Sequence, residues 1–301
     1  MGLGERTVQR GAKATMTEKL DQNSGGSTSD DRLSGQSKSL SVVVPFFNEM
    51  HRLNLTIDEV VGLAVDRHEV ILVDDGSTDG TGELLQEAAQ RFSGVEVIRL
   101  PRNRGKGAAV RAGVAQSSGD DVVFMDADLA TDLGDLSLVR SALDDAHVAI
   151  GSRSMPSAEL NGATHVRSFM GDIFNRSVRK ATGLEFRDTQ CGFKAFRGDE
   201  ARFLFAHTKV AGFAFDVEVL MLAKASGMRI VEVPVRWTQV SGSKVRFAVD
   251  PLKMLCDLPR IRRNVPRAAE LITCELTRLP VAAVHPPTPL PVAHPGALPG
   301  S

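Results

Sequence analysis

The sequence predicts an α/β fold, with a mostly parallel sheet flanked by helices on both faces, and two observations support this class. Short runs of β-branched residues alternate with helix-length segments from Ser41 onward, and such βαβα alternation is typical of a parallel sheet. The helix-length segments carry apolar residues at helical spacing, as at Leu84, Leu85, Ala88 and Ala89, which gives each segment an apolar face that can cover the sheet. The predicted strands are 41–47, 69–74, 95–100, 121–125 and 148–151.

The alternation loosens after residue 151. Apolar spacing and turn residues there predict a helix over 167–182, a turn-rich stretch to residue 190, a helix over 216–226 and a strand over 229–237. These later elements are expected to complete the same domain, which spans 40–247.

Two terminal segments have compositions that do not suit a packed core. Residues 1–39 are rich in Ser, Gly, Thr and charge without an apolar period, which predicts a disordered leader. Residues 280–301 are rich in proline, which excludes a helix or a central strand and predicts a disordered tail.

Residues 248–279 form a basic amphipathic segment, for which two interpretations stay open. The segment mixes apolar residues with arginines, so it could lie at a membrane surface with the arginines near anionic headgroups. The same pattern suits an ordinary amphipathic helix that packs against the domain and is interrupted at Pro251 and Pro259.

Charge and cysteine content restrict the class of protein. The 36 Lys and Arg residues nearly balance the 37 Asp and Glu residues, for a formal net charge of -1, so no global charge favours nucleic acid. Three widely spaced cysteines, Cys191, Cys256 and Cys274, argue against a disulfide framework or a zinc site. No apolar stretch approaches the roughly 20 residues of a membrane-spanning helix, and the N-terminus lacks an apolar signal-peptide core. We therefore expect a cytoplasmic protein, soluble or peripheral to a membrane.

Polar clusters follow three of the predicted strands. Asn48 and Glu49 follow the first strand, residues 74–79 end and follow the second, and Asp126 and Asp128 follow the fourth. Ligands of an open parallel sheet bind at the carboxyl ends of its strands, so these clusters are expected to meet in one crevice. Each cluster alone also suits a polar turn or a helix N-cap.

The D-x-D pattern of Asp126 and Asp128 indicates a site for a divalent cation. Two carboxylates one residue apart at a strand end can both reach a hard cation, and Mg2+ or Mn2+ held in this way keeps waters and bridges diphosphate oxygens. Such a metal neutralises the charge that develops on a departing nucleoside diphosphate. A D-x-D pattern by itself is common, so the prediction of Asp126 and Asp128 as ligands of Mg2+ or Mn2+ depends on the neighbouring strand-end clusters.

Residues 102–107 open a predicted helix after the third strand, with the sequence R-N-R-G-K-G. The glycines let the backbone approach an anion at the helix N-terminus. The segment lacks the G-x-x-x-x-G-K-[ST] spacing, and no G-x-G-x-x-G follows the first strand. These absences disfavour a nucleoside triphosphatase and an NAD enzyme.

Taken together, the motifs resemble those of inverting GT-A glycosyltransferases. The matching segments, in chain order, are P-F-F-N-E (45–49), V-D-D-G-S-T-D-G-T (73–81), N-R-G-K-G (103–107) and D-A-D (126–128). Later segments are similar to those of the polyprenyl-phosphate sugar transferases, the dolichyl-phosphate glucose and mannose synthases. These segments are G-S-R (151–153), D-T-Q-C-G-F-K (188–194), F-D-V-E (215–218), E-V-P-V-R-W (232–237) and G-S-K-V (242–245). The resemblance covers roughly 40–247 and implies a Rossmann-like GT-A fold.

Two of these segments look more like the glucosyl branch than the mannosyl branch. They are D-T-Q-C-G-F-K and D-A-D-L-A-T, which begins at Asp126. In the mannosyl branch a glutamine two residues after the second metal-binding aspartate completes the metal shell. In this chain that position is Ala130.

The resemblance also implies roles for residues on the donor side. Glu49 and Asp75 would hold the ribose and the base, Pro45 and Phe46 would shape the pocket, and Lys106 would approach the nucleotide.

Other residues are implied in catalysis and acceptor binding. The implied catalytic residues are Asp126, Asp128 and Asp188, of which Asp126 would support the site and Asp128 would bind the metal most directly. Arg153 and Arg167 would grip the acceptor phosphate, and Lys244 would close over the donor or that phosphate. Asp188 and Asp216 are candidates for positioning the sugar hydroxyls, although Asp216 also suits a helix N-cap.

The implied function is transfer of glucose from UDP-glucose to a polyprenyl or dolichyl phosphate, with inversion and a divalent metal. A lipid phosphate is already anionic at neutral pH, so it can attack without a general base. The Q-x-x-R-W motif of processive enzymes with hydroxyl acceptors is absent before Trp237. Three alternatives stay open: GDP-mannose as donor, a soluble or polysaccharide hydroxyl as acceptor, and a non-catalytic nucleotide-sugar-binding protein. A lipid acceptor implies a peripheral location on the cytoplasmic face of a membrane.

Overall fold

The computed structural model describes residues 38–66, 68–162, 175–240 and 250–277. The strands are β1 (Leu40–Phe46), β2 (Glu69–Asp74), β3 (Val95–Arg99), β4 (Asp121–Met125), β5 (Val148–Ser152), β6 (Glu159–Asn161), β7 (Phe193–Arg197), β8 (Ile230–Pro234) and β9 (Arg236–Thr238). The helices are α1 (Met50–Gly62), α2 (Thr81–Gln90), α3 (Lys106–Gln116), α4 (Leu136–Ser141), α5 (175–182), α6 (Gly198–His207), α7 (Phe215–Ala225) and α8 (Asp250–Leu276). Most of the predicted leader, the Pro-rich tail and the first part of the predicted helix over 167–182 lie outside the described residues.

Within the described residues, a seven-stranded sheet has the strand order β3-β2-β1-β4-β7-β5-β8. Every neighbouring pair is parallel except the two that involve β7, which runs antiparallel to both β4 and β5. The strands β6 and β9 pair in parallel as a separate two-stranded sheet. The predicted α/β fold with a mostly parallel sheet is therefore confirmed.

Both faces of the sheet are covered, and alternate residues of each strand point to opposite cores. In β1, Val43 packs with α3, α6, α7 and α8, whereas Val42 and Val44 pack on the other face with α1, α2 and α4. Strands that are buried on both faces read as continuous apolar runs rather than as polar and apolar alternation. This burial is the physical reason for the uninterrupted β-branched runs in the sequence.

Four later elements differ from the sequence prediction. The strands β6 and β7 and the helix α6 occupy regions that the sequence reasoning left without regular structure. The single strand predicted over 229–237 is two strands, because the chain leaves the central sheet after Pro234 and joins the small sheet at Arg236.

The helix α8 packs on the domain and continues through Pro259 and Pro266. Its apolar side chains at Leu258, Ile261 and Ile272 are at most 4% exposed and belong to the core that also contains α6 and α7. The interruption predicted at Pro259 is therefore wrong, whereas the packing of an amphipathic helix against the domain is observed.

The topology determines where a ligand can bind. From β1 the chain proceeds to β2 and β3 on one side, whereas β4 lies on the other side of β1. Connections that diverge in this way leave a crevice at the carboxyl ends of the strands. The loops after β1, β2 and β4 all open at this crevice.

Candidate active site

The loops that follow β1 and β2 are fastened to each other by hydrogen bonds. The Asn48 N–H donates to the Ser77 hydroxyl at 2.9 Å, and the Thr78 N–H donates to Asn48 Oδ1 at 2.9 Å. Asn48 has a φ of 52°, a left-handed conformation that asparagine tolerates better than most residues. The Glu49 N–H donates to Thr81 Oγ1 at 2.8 Å. The clusters predicted after the first two strands therefore lie side by side.

The Asp75 carboxylate fastens the third loop of the crevice. Its two oxygens accept hydrogen bonds from the Arg104 and Gly105 N–H groups, each at 2.8 Å. Burial raises the pKa of Asp75 above its usual value, although these two N–H groups oppose the shift. A Cβ on Gly76 would collide with the backbone of Arg102, so a glycine is required where the two loops cross. Asp75 thus holds the R-N-R-G-K-G segment against the crevice.

The remaining residues predicted for the donor side differ in exposure. Phe46 is 1% exposed and packs in the core, whereas Pro45 is partly exposed at the end of β1. Glu49 is bound in a bidentate manner by Arg52, whose Nε and Nη2 donate to its two oxygens at 2.7 and 2.8 Å. Glu49 therefore has a fixed orientation at the start of α1.

Asp126 and Asp128 lie just past the carboxyl end of β4, where the backbone turns through Leu129 with a φ of 48°. The Asp126 N–H donates to the Gly192 carbonyl at 2.9 Å. The Asp126 side chain lies so close to Gly192 that a Cβ there would collide with the carboxylate. The glycine before β7 therefore makes room for the first carboxylate of the D-x-D pattern.

Two cations face the D-x-D carboxylates, at unequal distances. The Lys106 Nζ lies 2.6 Å from Asp126 Oδ1, whereas the Arg52 Nη1 lies 3.9 Å from Asp128 Oδ2. Burial alone would lower the pKa of Lys106, but the carboxylates of Asp126 and Asp216 outweigh it and raise that pKa. Lys106 is therefore a permanent cation at the start of α3.

Asp128 is the less neutralised of the two carboxylates. Burial and then the negative charge of Asp126 raise the pKa of Asp128, and the Ala130 N–H at 3.2 Å and Arg52 oppose this shift only in part. An added cation would relieve the repulsion between the two carboxylates. Asp126 and Asp128 therefore present oxygen donors of the kind that Mg2+ and Mn2+ prefer.

A metal at this point would need ligands from outside the two aspartates. Among the residues that the structure describes, no group of three or more His, Cys, Asp or Glu side chains is arranged to hold a metal ion. The side chains of Asp126 and Asp128 are 40% and 27% exposed, so water or a diphosphate could complete the shell.

Arg153, which directly follows β5, and Asp188 bind each other. The Arg153 Nε and Nη2 donate to the two Asp188 oxygens at 2.7 and 3.0 Å. Asp188 is 1% exposed and Arg153 is 32% exposed. Burial would raise the pKa of Asp188, but the Arg153 guanidinium outweighs it and lowers that pKa. The structure thus places Asp188 behind Arg153, where the carboxylate fixes the orientation of the guanidinium.

Asp216 is also engaged by a side chain rather than exposed in the crevice. Lys194, which is fully buried, donates from Nζ to Asp216 Oδ1 and to the Cys191 carbonyl, each at 2.6 Å. The ammonium also lies 5.3 Å from the centroid of the Phe124 ring. Burial raises the pKa of Asp216, and the charges of Lys194 and Lys106 oppose this. The ion pair between Lys194 and Asp216 therefore connects β7 to the first turn of α7.

Sequence reasoning assigned no role to Arg52, Gly192 or Lys194. A signal for Arg52 is its i,i+3 spacing from Glu49, which brings the two side chains together on one turn of helix. The signal for Lys194 is a lysine inside the apolar run G-F-K-A-F. The predicted acceptor-binding residues Arg167 and Lys244 lie outside the described residues.

Comparison with known proteins shows which family the chain resembles. A family model described as glycosyl transferase family 2 matches residues 41–203. A mouse protein named dolichyl-phosphate beta-glucosyltransferase is 37% identical over 243 residues, which cover 75% of this chain and 75% of that protein. A protein of the same name from Saccharomyces cerevisiae is 32% identical over 246 residues, covering 74% of each chain.

Solved structures with a similar fold include glucosyl-3-phosphoglycerate synthase from Mycobacterium tuberculosis. Its complex with uridine diphosphate has a TM-score of 0.56 at 18% identity, covering 74% of this chain and 80% of that one. A complex of the same synthase with Mn2+, UDP-glucose and phosphoglyceric acid has a TM-score of 0.51 at 18% identity, with 77% and 80% coverage. The likeness confirms the predicted GT-A architecture.

Proposed function

The chain belongs to glycosyl transferase family 2, and from this membership we propose that it transfers glucose from UDP-glucose to the phosphate of a polyprenyl phosphate such as dolichyl phosphate. The proposal rests on two carboxylates and two cations that lie together at the crevice between β1 and β4. These residues are Asp126, Asp128, Lys106 and Arg52. The relatives named dolichyl-phosphate beta-glucosyltransferase support the choice of sugar and acceptor.

The donor nucleotide would lie against the loops after β1 and β2. We assign Glu49 and Asp75 to the ribose and base, because both carboxylates are held at fixed orientations by hydrogen bonds. Pro45 contributes its partly exposed ring to the same pocket, with Phe46 behind it in the core. Lys106 would face the diphosphate, where its fixed positive charge favours the anion.

Asp126 and Asp128 would hold Mg2+ or Mn2+, and the bound ion would neutralise negative charge on the departing diphosphate. The presence of Mn2+ with UDP-glucose in a synthase of the same fold supports this assignment. Lys106 keeps Asp126 oriented by their 2.6 Å contact.

Arg153 would orient the acceptor phosphate, with Asp188 as a positioning residue behind it. One phosphate oxygen of the lipid attacks the anomeric carbon as the bond from that carbon to the diphosphate oxygen breaks, and UDP leaves with the electron pair. Attack from the face opposite to the leaving group inverts the anomeric configuration. No proton has to be removed from the attacking oxygen, so the reaction needs no carboxylate base. Arg167 and Lys244 are proposed to complete the phosphate site.

A panel of donors tests the proposal. Purified protein with Mn2+ would be incubated with UDP-glucose, GDP-mannose or UDP-N-acetylglucosamine and a short-chain polyprenyl phosphate, and the glycolipid would be measured. We expect product from UDP-glucose alone. Product from GDP-mannose would contradict the proposed donor, and release of UDP without glycolipid would indicate a hydroxyl acceptor or hydrolysis.

We also propose that α8 docks the enzyme on an anionic membrane surface. No helix within the described residues has the length and apolar character needed to span a bilayer. While one side of α8 packs on the domain, its other side exposes cations to solvent. These residues are Lys253, Arg260, Arg262, Arg263 and Arg267. A groove of about 600 Å³ beside them is lined by Leu255, Leu258 and Pro259 together with two of the arginines, which suits an amphiphile with a negative head.

Neutralising part of this basic face should weaken membrane binding. Each exposed Lys or Arg near an anionic bilayer contributes about 1 kcal/mol, so Arg262→Gln with Arg263→Gln should reduce partitioning to phosphatidylserine vesicles by roughly thirtyfold. Lys38→Gln with Arg91→Gln, which removes the same charge from exposed positions elsewhere, is the control. Sedimentation with vesicles measures the effect, and equal loss in both double variants would contradict docking through α8.

A further inference from the structure

Arg52 lies between two carboxylates of the proposed donor site and uses only part of its hydrogen-bonding capacity. Its Nε and Nη2 bind Glu49, while its Nη1 faces Asp128 Oδ2 at 3.9 Å. That Nη1 atom is buried and has no hydrogen-bond partner among the described residues. A buried N–H group without a partner costs free energy, so Nη1 is a donor that is available to a ligand entering the crevice.

The charges around Arg52 show what that partner would be. Glu49 is the carboxylate proposed for the donor nucleotide, and Asp128 is the carboxylate proposed for the metal. The guanidinium is the described cation nearest to Asp128, because Lys106 contacts Asp126 instead. A divalent ion at Asp128 would therefore meet the repulsion of Arg52, whereas a diphosphate oxygen would find an unused N–H donor.

We infer that Arg52 changes its interactions when the donor binds. Without donor, its positive charge attracts the Asp128 carboxylate. With metal and donor bound, its Nη1 donates a hydrogen bond to the diphosphate. The inference rests on the proposed nucleotide-sugar site and goes beyond it, because it makes binding of the metal depend on the nucleotide. Arg52 opposes the metal alone and favours the metal together with a diphosphate. In both states it keeps Glu49 in place.

This role predicts effects of opposite sign in one variant. Arg52→Ala removes a positive charge about 4 Å from Asp128, so Mn2+ alone should bind at least about threefold more tightly. The same variant loses the donor to the diphosphate and the clamp on Glu49, so UDP in the presence of Mn2+ should bind about tenfold or more weakly. A merely structural role for Arg52 would weaken both equilibria.

Binding measurements test this without any turnover. Mn2+ affinity would be followed by the electron paramagnetic resonance signal of free Mn2+, and UDP affinity by calorimetry at saturating Mn2+. Arg52→Gln provides a second neutral variant of similar length, and Arg52→Lys keeps the charge without the bidentate geometry. Arg91→Ala, in which an exposed ion pair with Asp58 is removed, is the matched control.

We expect Arg52→Ala and Arg52→Gln to shift the two affinities in opposite directions. Arg52→Lys should leave Mn2+ affinity unchanged and weaken UDP, and Arg91→Ala should change neither. Weaker or unchanged Mn2+ binding in both neutral variants would overturn the inference. Because no acceptor is present, an error in the proposed acceptor or sugar would leave these results unaffected, whereas failure of wild-type protein to bind UDP would overturn the donor site itself.

Discussion

Asp128→Asn is expected to reduce glycosyl transfer by about a thousandfold. A unit charge at about 4 Å in an environment of effective dielectric near 20 contributes roughly 4 kcal/mol, which corresponds to about three orders of magnitude in rate. The effect of removing the charge is easier to interpret at Asp128 than at Asp126, because the Asp126 carboxylate is already paired with Lys106 at 2.6 Å. Asparagine keeps the shape of the side chain and removes only its charge.

The same substitution should not lower the stability of the fold. Burial and Asp126 raise the pKa of Asp128 in the folded state. A carboxyl whose pKa is raised on folding disfavours the folded state at any pH above that pKa. Unfolding in urea at pH 7.5 should therefore give an equal or higher free energy of unfolding for Asp128→Asn, while the initial rate at saturating Mn2+ falls.

The control for this prediction is Asp144→Asn, in which the carboxylate is 73% exposed and pairs with Lys38. It should retain the wild-type rate. If Asp128→Asn lost less than about tenfold in rate, or if it lost rate only in step with a loss of folded protein, the role of Asp128 as a metal ligand would be contradicted.

The early half of the fold follows from local sequence pattern, whereas β7 does not. The strands β1, β2, β4 and β5 are buried runs rich in apolar residues, and the bounds of β1 to β5 lie within about one residue of those predicted. By contrast, β7 has a short run, F-K-A-F-R, that includes a lysine and an arginine. In the sheet it pairs with β4 and with β5, and both of these strands lie far before it in the sequence. Such pairing depends on long-range contacts that have no local period.

The candidate site was likewise predicted only in part. The rule that ligands bind at the carboxyl ends of parallel strands correctly predicted that the clusters after β1, β2 and β4 lie together, because the topology of a parallel sheet determines where its strands end. It did not reveal which charges would pair. The contacts of Lys106 with Asp126 and of Arg153 with Asp188 span 20 and 35 residues, and only the folded chain shows that Asp188 stands behind Arg153.

Lys194→Met is expected to be the most destabilising single substitution among these site residues. The Lys194–Asp216 pair is 0% and 2% exposed, so removal of the lysine leaves a carboxylate buried without its main partner. Breaking a buried ion pair in this way costs about 3–5 kcal/mol, a large part of the roughly 5–15 kcal/mol that stabilises a typical domain. We therefore expect a much lower urea midpoint for Lys194→Met at neutral pH.

The double variant Lys194→Met with Asp216→Asn separates the ion pair from its surroundings. Replacing both charges removes the uncompensated carboxylate, so the double variant should be more stable than Lys194→Met alone, with a favourable coupling energy in the cycle. The exposed Arg91–Asp58 pair, treated in the same way, should show almost no coupling. The Asp216 carboxylate also stabilises the charged form of Lys106. The double variant should therefore fold but catalyse glycosyl transfer slowly. If Lys194→Met were as stable as the wild type, the pair would be dispensable to the fold, and Asp216 would have to be reconsidered as a residue that faces the sugar.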